Sequence, residues 1–213
     1  FKVIHGSVDS ILFDPQAQNM GEEISAKRRQ NVLNLLFIGR LDRQKQPLRL
    51  LQIADMLRSE GVAFIMHIIG DGSLESQKPE FLERLKKLKL QEQVCWYGEQ
   101  SLESLVEWYR VADIMLLTSD WEGVPMVLYQ AMAMQVVPVV ADVGGCAELV
   151  TPESGYLIND RENPTEYVTA IKALIDEKRR QKMAKNTRKR MLAEFSLTDL
   201  DLKYKDYYRS LMR

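Results

Sequence analysis

The chain has 213 residues, 46% of them hydrophobic, which suits one large domain or two small ones. Its net charge of -1 excludes a global attraction to nucleic acid. The two cysteines, Cys95 and Cys146, lie within or beside apolar segments, which suits a reducing cytosol, and nothing in the sequence implies a disulfide framework. We expect no membrane span and no signal peptide, because no apolar run is long enough for a span and no leader pattern is present. Because the first residue is Phe1, we also expect a fragment of a longer protein.

The chain alternates between short apolar runs and helical patterns. Residues 1–15 predict a short strand, a turn and a stop at Pro15, and residues 16–30 predict a loop or short helix. The apolar runs lie at about residues 34–38, 63–69, 94–97, 113–117, 137–141 and 155–158. Uniformly apolar strands between helices are typical of a parallel sheet covered on both faces. We therefore predict the α/β class, with one doubly wound, Rossmann-like parallel sheet of about six strands.

The turn after the first strand carries two basic residues, Arg40 and Lys45. Open parallel sheets bind ligands at the carboxyl ends of their strands, and a guanidinium beside an ammonium suits a diphosphate. Two basic residues in a turn are more often simply solvated, so the pattern alone leaves both interpretations open.

The turn after the second strand reads Gly70-Asp71-Gly72. A dinucleotide-binding fingerprint needs a third glycine where this chain has Glu75, so that motif fails. We predict instead a tight turn that leads into a helix near Pro79–Lys89. His67, inside the strand, fits a packed core histidine better than a ligand.

The most informative stretch runs from Ser119 to Glu148, through S-D-W-E-G-V-P-M-V-L-Y-Q-A-M-A-M-Q. It predicts a loop, a buried helix over Met126–Met134 with Pro125 at its first position, a strand, and a second helix opened by Gly144-Gly145. Helix N-termini bind phosphates through unpaired N–H groups. The negative charge of Glu122 beside such a turn is electrostatically unfavourable for phosphate binding. Glu122 therefore fits a contact with another group, such as a sugar, better.

Two patterns near the C-terminus carry weaker signals. The helix predicted over Glu177–Glu194 is strongly basic, which fits an anionic membrane surface or, more commonly, a solvated face. Asp199-Leu200-Asp201 mimics a metal-binding Asp-x-Asp motif, but that motif follows a strand. Thr198 with Asp201 predicts a helix cap instead, and no metal site is expected.

The stretch from Glu122 onward resembles the signature of the retaining glycosyltransferases of family four, which have the GT-B fold. Their pattern has a second Glu where this chain has Gln130, and a small residue where it has Met134-Gln135; both are departures. The Gly39-Arg40-Leu41 turn with Lys45 also matches the family. The resemblance implies an interdomain linker at residues 1–15, a nucleotide-sugar-binding domain at 16–195, and at 196–213 a C-terminal helix packing toward an absent N-terminal acceptor domain.

The resemblance also implies a role for each matching residue. The donor diphosphate would be held by Arg40, Lys45, Gly123, Val124, Met126 and Val127. Gln130 would bind the ribose, and Glu122 would contact the donor sugar as the catalytic-site carboxylate. The nucleobase pocket would be lined by Tyr97, Gly98 and Glu99, and the donor-site loops by Gly39, Gly70, Asp71 and Gly72.

The implied function is the donor-binding half of a retaining, metal-independent hexosyltransferase without a cofactor. It would take a nucleotide diphosphate sugar, UDP- or GDP-linked, and a glycan or lipid-linked acceptor, as in polysaccharide biosynthesis. The implied location is the cytoplasm or the inner face of the membrane, with no nucleic-acid partner. Two alternatives stay open: a non-catalytic nucleotide-sugar-binding module, and another GT-B enzyme such as a phosphorylase or an epimerase.

Overall fold

The computed structural model describes residues 6–17, 22–72 and 76–211. Residues 1–5 of the predicted linker and Glu75 lie outside the described residues. So do the side chains of Thr198, Asp199 and Asp201, on which the predicted cap rests.

The described residues form one six-stranded, wholly parallel sheet, in the order β3-β2-β1-β4-β5-β6. Its strands are β1 Leu33–Ile38, β2 Phe64–Ile69, β3 Val94–Trp96, β4 Ile114–Leu117, β5 Val137–Ala141 and β6 Tyr156–Ile158. Every residue of β1, β2, β4 and β5 is buried, as expected for a sheet covered on both faces. The predicted fold class is confirmed, and each strand boundary agrees to within one residue.

Helices separate the strands and cover both faces of the sheet. In chain order they are α1 Glu22–Ser25, α2 Pro47–Ser59, α3 Lys78–Lys87, α4 Leu102–Val111, α5 Met126–Ala133, α6 Cys146–Leu149, α7 Pro164–Ala173, α8 Glu177–Glu194 and α9 Leu197–Leu211. Along β1, Leu35 and Phe37 face one hydrophobic core, and Leu36 and Ile38 face the other. This alternation divides the apolar side chains into two layers. None of the described helices combines the length and apolarity that crossing a bilayer requires.

Two helix predictions need correction. Pro125 is not the first residue of α5 but its N-cap, with an extended ψ of 116°, so the helix begins at Met126 and ends at Ala133. The helix opened by Gly144-Gly145 is only one turn long, from Cys146 to Leu149. A single turn supplies much less dipole than a full helix, so α5 is the stronger anion-binding element.

The direction of chain progression reverses between β1 and β4, which are neighbours in the sheet although β2 and β3 intervene in sequence. In doubly wound sheets this switch point leaves a crevice at the carboxyl ends of the two strands. The loops after β1 and β4 therefore define where the site is built.

The arm before the domain returns to the junction between α8 and α9. Val8 pairs in parallel with Ser196 as an isolated bridge, with Val8 N donating to Phe195 O at 3.3 Å and Leu197 N to Val8 O at 3.1 Å. The short strand predicted within residues 1–15 is thus reduced, among its described residues, to this single bridge.

Candidate nucleotide-sugar site

The loops after β1 and β4 meet through an ion pair between Lys45 and Glu122. Lys45 Nζ lies 2.6 Å from Glu122 Oε1, and the two side chains are only 15% and 5% exposed. Ser119 Oγ donates to the same carboxylate oxygen at 2.5 Å. The predicted diphosphate-binding lysine and the predicted sugar-binding carboxylate are therefore brought together, and each neutralises the charge of the other.

Glu122 is held from a third side by the loop after β5. Gly144 has a φ of +53°, and a Cβ atom there would lie 1.8 Å from the Glu122 carbonyl oxygen, so only glycine fits. Gly145 N donates to Gly123 O at 2.7 Å. The Cys146 thiol lies nearby: burial raises its pKa to about 12, and the negative charge of Glu122 adds to this. The Gly-Gly loop thus fixes the backbone that presents Glu122.

The loop that carries Glu122 is anchored to α2 by Asp120. Its carboxylate accepts hydrogen bonds from Gln46 Nε2 at 2.5 Å and Arg49 Nη2 at 3.2 Å, and Arg161 Nε approaches to 3.7 Å. Arg49, which is buried, also donates to the Thr118 carbonyl. A buried charge is retained only where it is paired in this way. The anchor fixes the β4 loop against the β1 loop.

Arg40 lies at the rim of this crevice. Its Nε donates to buried Asp42 at 2.6 Å and its Nη2 to Gln44 at 2.9 Å, while the side chain stays 58% exposed. Gln44 in turn donates to the Trp121 carbonyl at 3.0 Å. Arg40 therefore does not contact Glu122 or Lys45 directly, but it lies in the same loop and remains accessible to an anion.

The loop before α5 and the first turn of α5 together supply four backbone donors. The N–H groups of Gly123, Val124, Met126 and Val127 make no hydrogen bond to any described residue. Val124 and Met126 are exposed and Gly123 is open to solvent, so a ligand can approach the backbone here. Unpaired N–H groups together with the helix dipole suit a phosphate.

The glycine loops after β1, β2 and β3 are stacked side by side. Gly39 N donates to Ile69 O at 3.0 Å, and Gly70 N to Gly98 O at 2.7 Å. Gly70 has a φ of +121°, and a Cβ atom there would lie 2.1 Å from Gly39 O. The predicted loop glycines Gly39, Gly70 and Gly98 are thus brought together, next to the Arg40 turn.

Asp71 and Gly72 continue this row. Lys78 Nζ lies 2.7 Å from Asp71 Oδ1 and 4.2 Å from the Trp96 ring centroid, and Gly72 N donates to Asp71 at 2.6 Å. The hydrogen bond from Lys78 lowers the pKa of Asp71. Asp71 therefore serves to tie the loop to α3.

The predicted nucleobase and ribose residues differ in how far they reach the crevice. The half-buried Tyr97 ring packs at a tilt of 44° against Trp108, with centroids 4.3 Å apart, and its hydroxyl lies 3.3 Å from His67 Nδ1. Glu99 is exposed. Gln130 Oε1 accepts a hydrogen bond from the buried Tyr109 hydroxyl at 2.9 Å.

Sequence reasoning missed the residues that organise the loops. Ser119, Asp120, Arg49 and Gln46 were given no role, although an arginine on the apolar face of α2 is a signal that it pairs with something buried. Among the described residues, no group of three or more His, Cys, Asp or Glu side chains could hold a metal ion.

Comparison with known families identifies the chain. The family model described as "Glycosyl transferases group 1" matches residues 22–190. The chain belongs to the group 1 glycosyl transferases. The match spans the loops after β1, β4 and β5, and the predicted family is confirmed.

Curated group 1 relatives are similar over most of the chain but extend well beyond it. The D-inositol 3-phosphate glycosyltransferase of Thermomonospora curvata is 31% identical over 191 residues, which is 84% of this chain and 44% of that protein. The lipopolysaccharide 1,6-galactosyltransferase of Escherichia coli is 27% identical over 71% of this chain and 42% of its own length. The chain spans about half the length of the curated relatives it matches.

Solved structures of other proteins share the fold. The structure of HepE from Anabaena in complex with UDP and glucose matches with a TM-score of 0.83 at 21% identity, over 98% of this chain and 56% of that one. At this level of identity the likeness shows the fold alone.

Proposed function

We propose that this chain is the donor-binding half of a retaining glycosyltransferase, which moves a sugar from a nucleotide diphosphate sugar to a glycan, lipid carrier or other acceptor. The observation that carries the proposal is the convergence, at the switch-point crevice, of Lys45 and Arg40 with four N–H groups around the start of α5 that have no partner among the described residues. The relative solved with UDP and glucose has the same fold and supports a nucleotide-sugar ligand.

The diphosphate would lie across the start of α5, where its charge draws Lys45 away from Glu122. In the transfer step the bond between the anomeric carbon and the leaving phosphate oxygen breaks, and the acceptor hydroxyl bonds to that carbon from the same face. The acceptor proton passes to the leaving phosphate. Lys45, Arg40 and the α5 N–H groups stabilise the charge that develops on the leaving group, so the proposed mechanism needs no metal ion and no cofactor.

Glu122 would bind hydroxyl groups of the donor sugar rather than act as a nucleophile. Its side chain is 5% exposed, and one carboxylate oxygen already accepts from both Lys45 and Ser119. Gln130 would bind the ribose, and the backbone near Tyr97, Gly98 and Glu99 the base. Gly39, Gly70, Asp71 and Gly72 would shape the adjoining walls.

The direct test is the melting temperature of the chain with UDP, GDP, ADP and CMP, each with and without its sugar. A ligand at 100 times its Kd adds about 2.7 kcal/mol, or roughly 5–10 °C for a domain of this size. We expect one nucleotide to raise the melting temperature, and Arg40→Ala to abolish the shift. Arg84→Ala, which removes an exposed arginine paired with Glu80, should leave it intact. No shift with any nucleotide, or a shift unchanged in Arg40→Ala, contradicts the proposed site.

The acceptor half of the cleft is proposed to lie in a separate N-terminal domain of the same protein. We therefore expect this chain alone to bind donor without transferring sugar, in the presence or absence of EDTA. Transfer to a glycan or lipid-linked acceptor by the 213-residue chain would refute the proposal that the acceptor site lies in a separate domain.

A second candidate function is a nucleotide-sugar-binding module without catalysis, and Gln130, which replaces the family's acidic residue, is the observation that favours it. It predicts that nucleotide binding survives in the full-length protein while transfer is absent. Phosphorolysis of an oligosaccharide, or epimerisation of the donor without an acceptor, would indicate another GT-B enzyme.

A cytoplasmic location, in polysaccharide biosynthesis at the inner face of a membrane, is also a proposal. Its support is a row of four exposed lysines on one face of α8 (Lys178, Lys182, Lys185, Lys189) and relatives named for amylovoran and lipopolysaccharide synthesis. Arg188 and Arg190 of the same helix instead fold back onto backbone carbonyls of the domain.

A further inference from the structure

A second polar cavity lies at the opposite edge of the sheet from the proposed donor site. Its volume is about 350 Å³. Its walls come from the amino ends of β1 and β4, the segment before β2, and the start of α8. Since β1 is six residues long, about 17 Å of strand separates this cavity from the Arg40 turn. The cavity is therefore a separate place in the fold.

Three arginines line this cavity: Arg28, Arg29 and Arg180. Arg28 donates to the Val111 carbonyl and, at 2.8 Å, to Asp113. Arg180 donates to the carbonyl of Leu174 at 2.7 Å, and its Nε lies 3.8 Å from Asp113. These bonds hold both guanidinium groups in place and still leave several of their N–H donors free, because each guanidinium carries five.

Arg29 differs from the other two arginines. Arg29 is exposed and belongs to the lining of the cavity, and within the described parts of the chain its guanidinium makes no hydrogen bond and no ion pair. A guanidinium with five free donors, in the same lining as two fixed arginines, is available to an anion.

The carboxylates of the cavity do not neutralise this charge. Asp113 is committed to Arg28, Arg180 and the backbone N–H and side-chain amide of Asn34. Glu177 accepts from Gln181 on the first turns of α8. Three guanidinium groups against two carboxylates leave a surplus positive charge, most of it at Arg29.

The charges of Arg28 and Arg29 also affect the pKa of a histidine inside the sheet. His67 is buried in β2, and its pKa falls to about 4, first because of burial and then because of the charges of Arg29 and Arg28.

We propose that this cavity binds the phosphate group of a small phosphorylated metabolite. The planar guanidinium group can donate two parallel hydrogen bonds to two phosphate oxygens. Because Arg28 and Arg180 are already held in place, less side-chain conformational entropy is lost on binding. Ile175, exposed at the cavity wall, and Val62 provide an apolar surface for the rest of the molecule. The site is independent of the donor site and does not rest on the proposed glycosyltransferase function.

The experiment follows backbone amide NMR signals of the whole chain during titration with inorganic phosphate, pyrophosphate and glucose 6-phosphate at constant ionic strength. We expect saturable shifts at residues 28–33, 62–63 and 175–180 for at least one probe. In Arg29→Gln the affinity at these residues should fall by about tenfold, since one charged pair is lost. Arg29 has no described partner to lose, so the variant should melt within about 1 °C of wild type.

Two controls separate this site from the donor site and from simple screening. Arg40→Ala should leave the shifts at 28–33 unchanged while weakening those at 39–45, and Arg84→Gln should change neither. Shifts that never saturate, or an Arg29→Gln titration identical to wild type, overturn the proposal. Saturation confined to residues 39–45 and 122–127 would also overturn it, while leaving the donor site intact.

Discussion

Lys45 and Glu122 are the two residues through which the loops of the crevice contact each other. Each side chain is largely buried, and each is the other's counter-ion. In the proposed donor complex, a diphosphate would compete with Glu122 for Lys45, and the accompanying sugar would offer hydroxyl groups to Glu122 in exchange. On that proposal, the ion pair would keep both groups oriented and nearly desolvated before the donor binds.

We predict that Lys45→Met destabilises the chain by about 3 kcal/mol, because it leaves the Glu122 carboxylate buried without a counter-ion. Glu122→Gln added to Lys45→Met should recover most of this loss. Urea unfolding of the wild type, both single variants and the double variant measures the coupling. Breaking the exposed Arg84–Glu80 pair with Arg84→Met should cost less than about 0.5 kcal/mol. Additive losses at positions 45 and 122 would mean that the pair is not coupled.

At Gln130 the expected effect is on affinity. The Tyr109 hydroxyl already occupies one lone pair of Gln130 Oε1. A carboxylate would keep that bond and offer a second, charged oxygen to the ribose. We predict that Gln130→Glu tightens nucleotide binding by roughly five- to tenfold, about 1 kcal/mol. Calorimetry tests this against Gln91→Glu, the same change at an exposed position. Equal or weaker binding by Gln130→Glu argues against a ribose contact.

At the scale of elements, the site depends on how closely three loops approach one another. The loop after β4 is tied to α2 by Asp120 and to the loop after β5 by the contact of Gly144 with Glu122. Helix α5 begins directly after these contacts, so the loops determine where its first N–H groups lie. Position 144 requires glycine for two reasons: its φ is positive, and a Cβ atom there would collide with the Glu122 carbonyl oxygen.

Two glycines with similar backbone angles allow this to be tested. Gly144 (φ +53°) has a backbone oxygen in the way of a Cβ atom, whereas Gly61 (φ +72°) has no atom within 4 Å. Gly61→Ala should cost about 1 kcal/mol, for backbone strain alone. Gly144→Ala should cost about 3 kcal/mol or more and should weaken nucleotide binding, because the Glu122 backbone must move. The measurement is thermal unfolding of both variants. Similar losses of stability in the two would mean that the Glu122 backbone shifts at little cost to accommodate a Cβ atom at position 144.

At the scale of the whole molecule, the stability of the fold should depend on pH through His67. Its pKa is lowered from 6.5 to about 4 in the folded chain, so the unfolded chain binds the extra proton between these values. Stability is therefore full above pH 6.5 and falls as the pH drops toward 4, by at most roughly 3 kcal/mol. Urea unfolding at intervals from pH 7 to pH 4 should show a shallower decline for His67→Phe. A decline of equal slope in both proteins would mean that His67 does not contribute.

Much of the fold could be predicted because its determinants are local. The strands are continuous apolar runs, and Pro47, Pro164 and the glycine turns mark where helices begin and strands end. The pairing of Lys45 with Glu122, and of Arg49 with Asp120, joins residues more than 70 positions apart, and no local pattern encodes it. The orientation of the Tyr97 ring was likewise decided by its packing on Trp108.

The bridge between Val8 and Ser196 brings two distant points of the chain to one place on the surface. The segment between them, which contains all six strands, therefore has adjacent ends. Such a segment can be exchanged between relatives with two cuts a few ångströms apart, without new linkers to span the domain. If the proposed donor site is correct, chimeric proteins joined at residues 8 and 196 would take their sugar-nucleotide preference from the parent that supplies this segment.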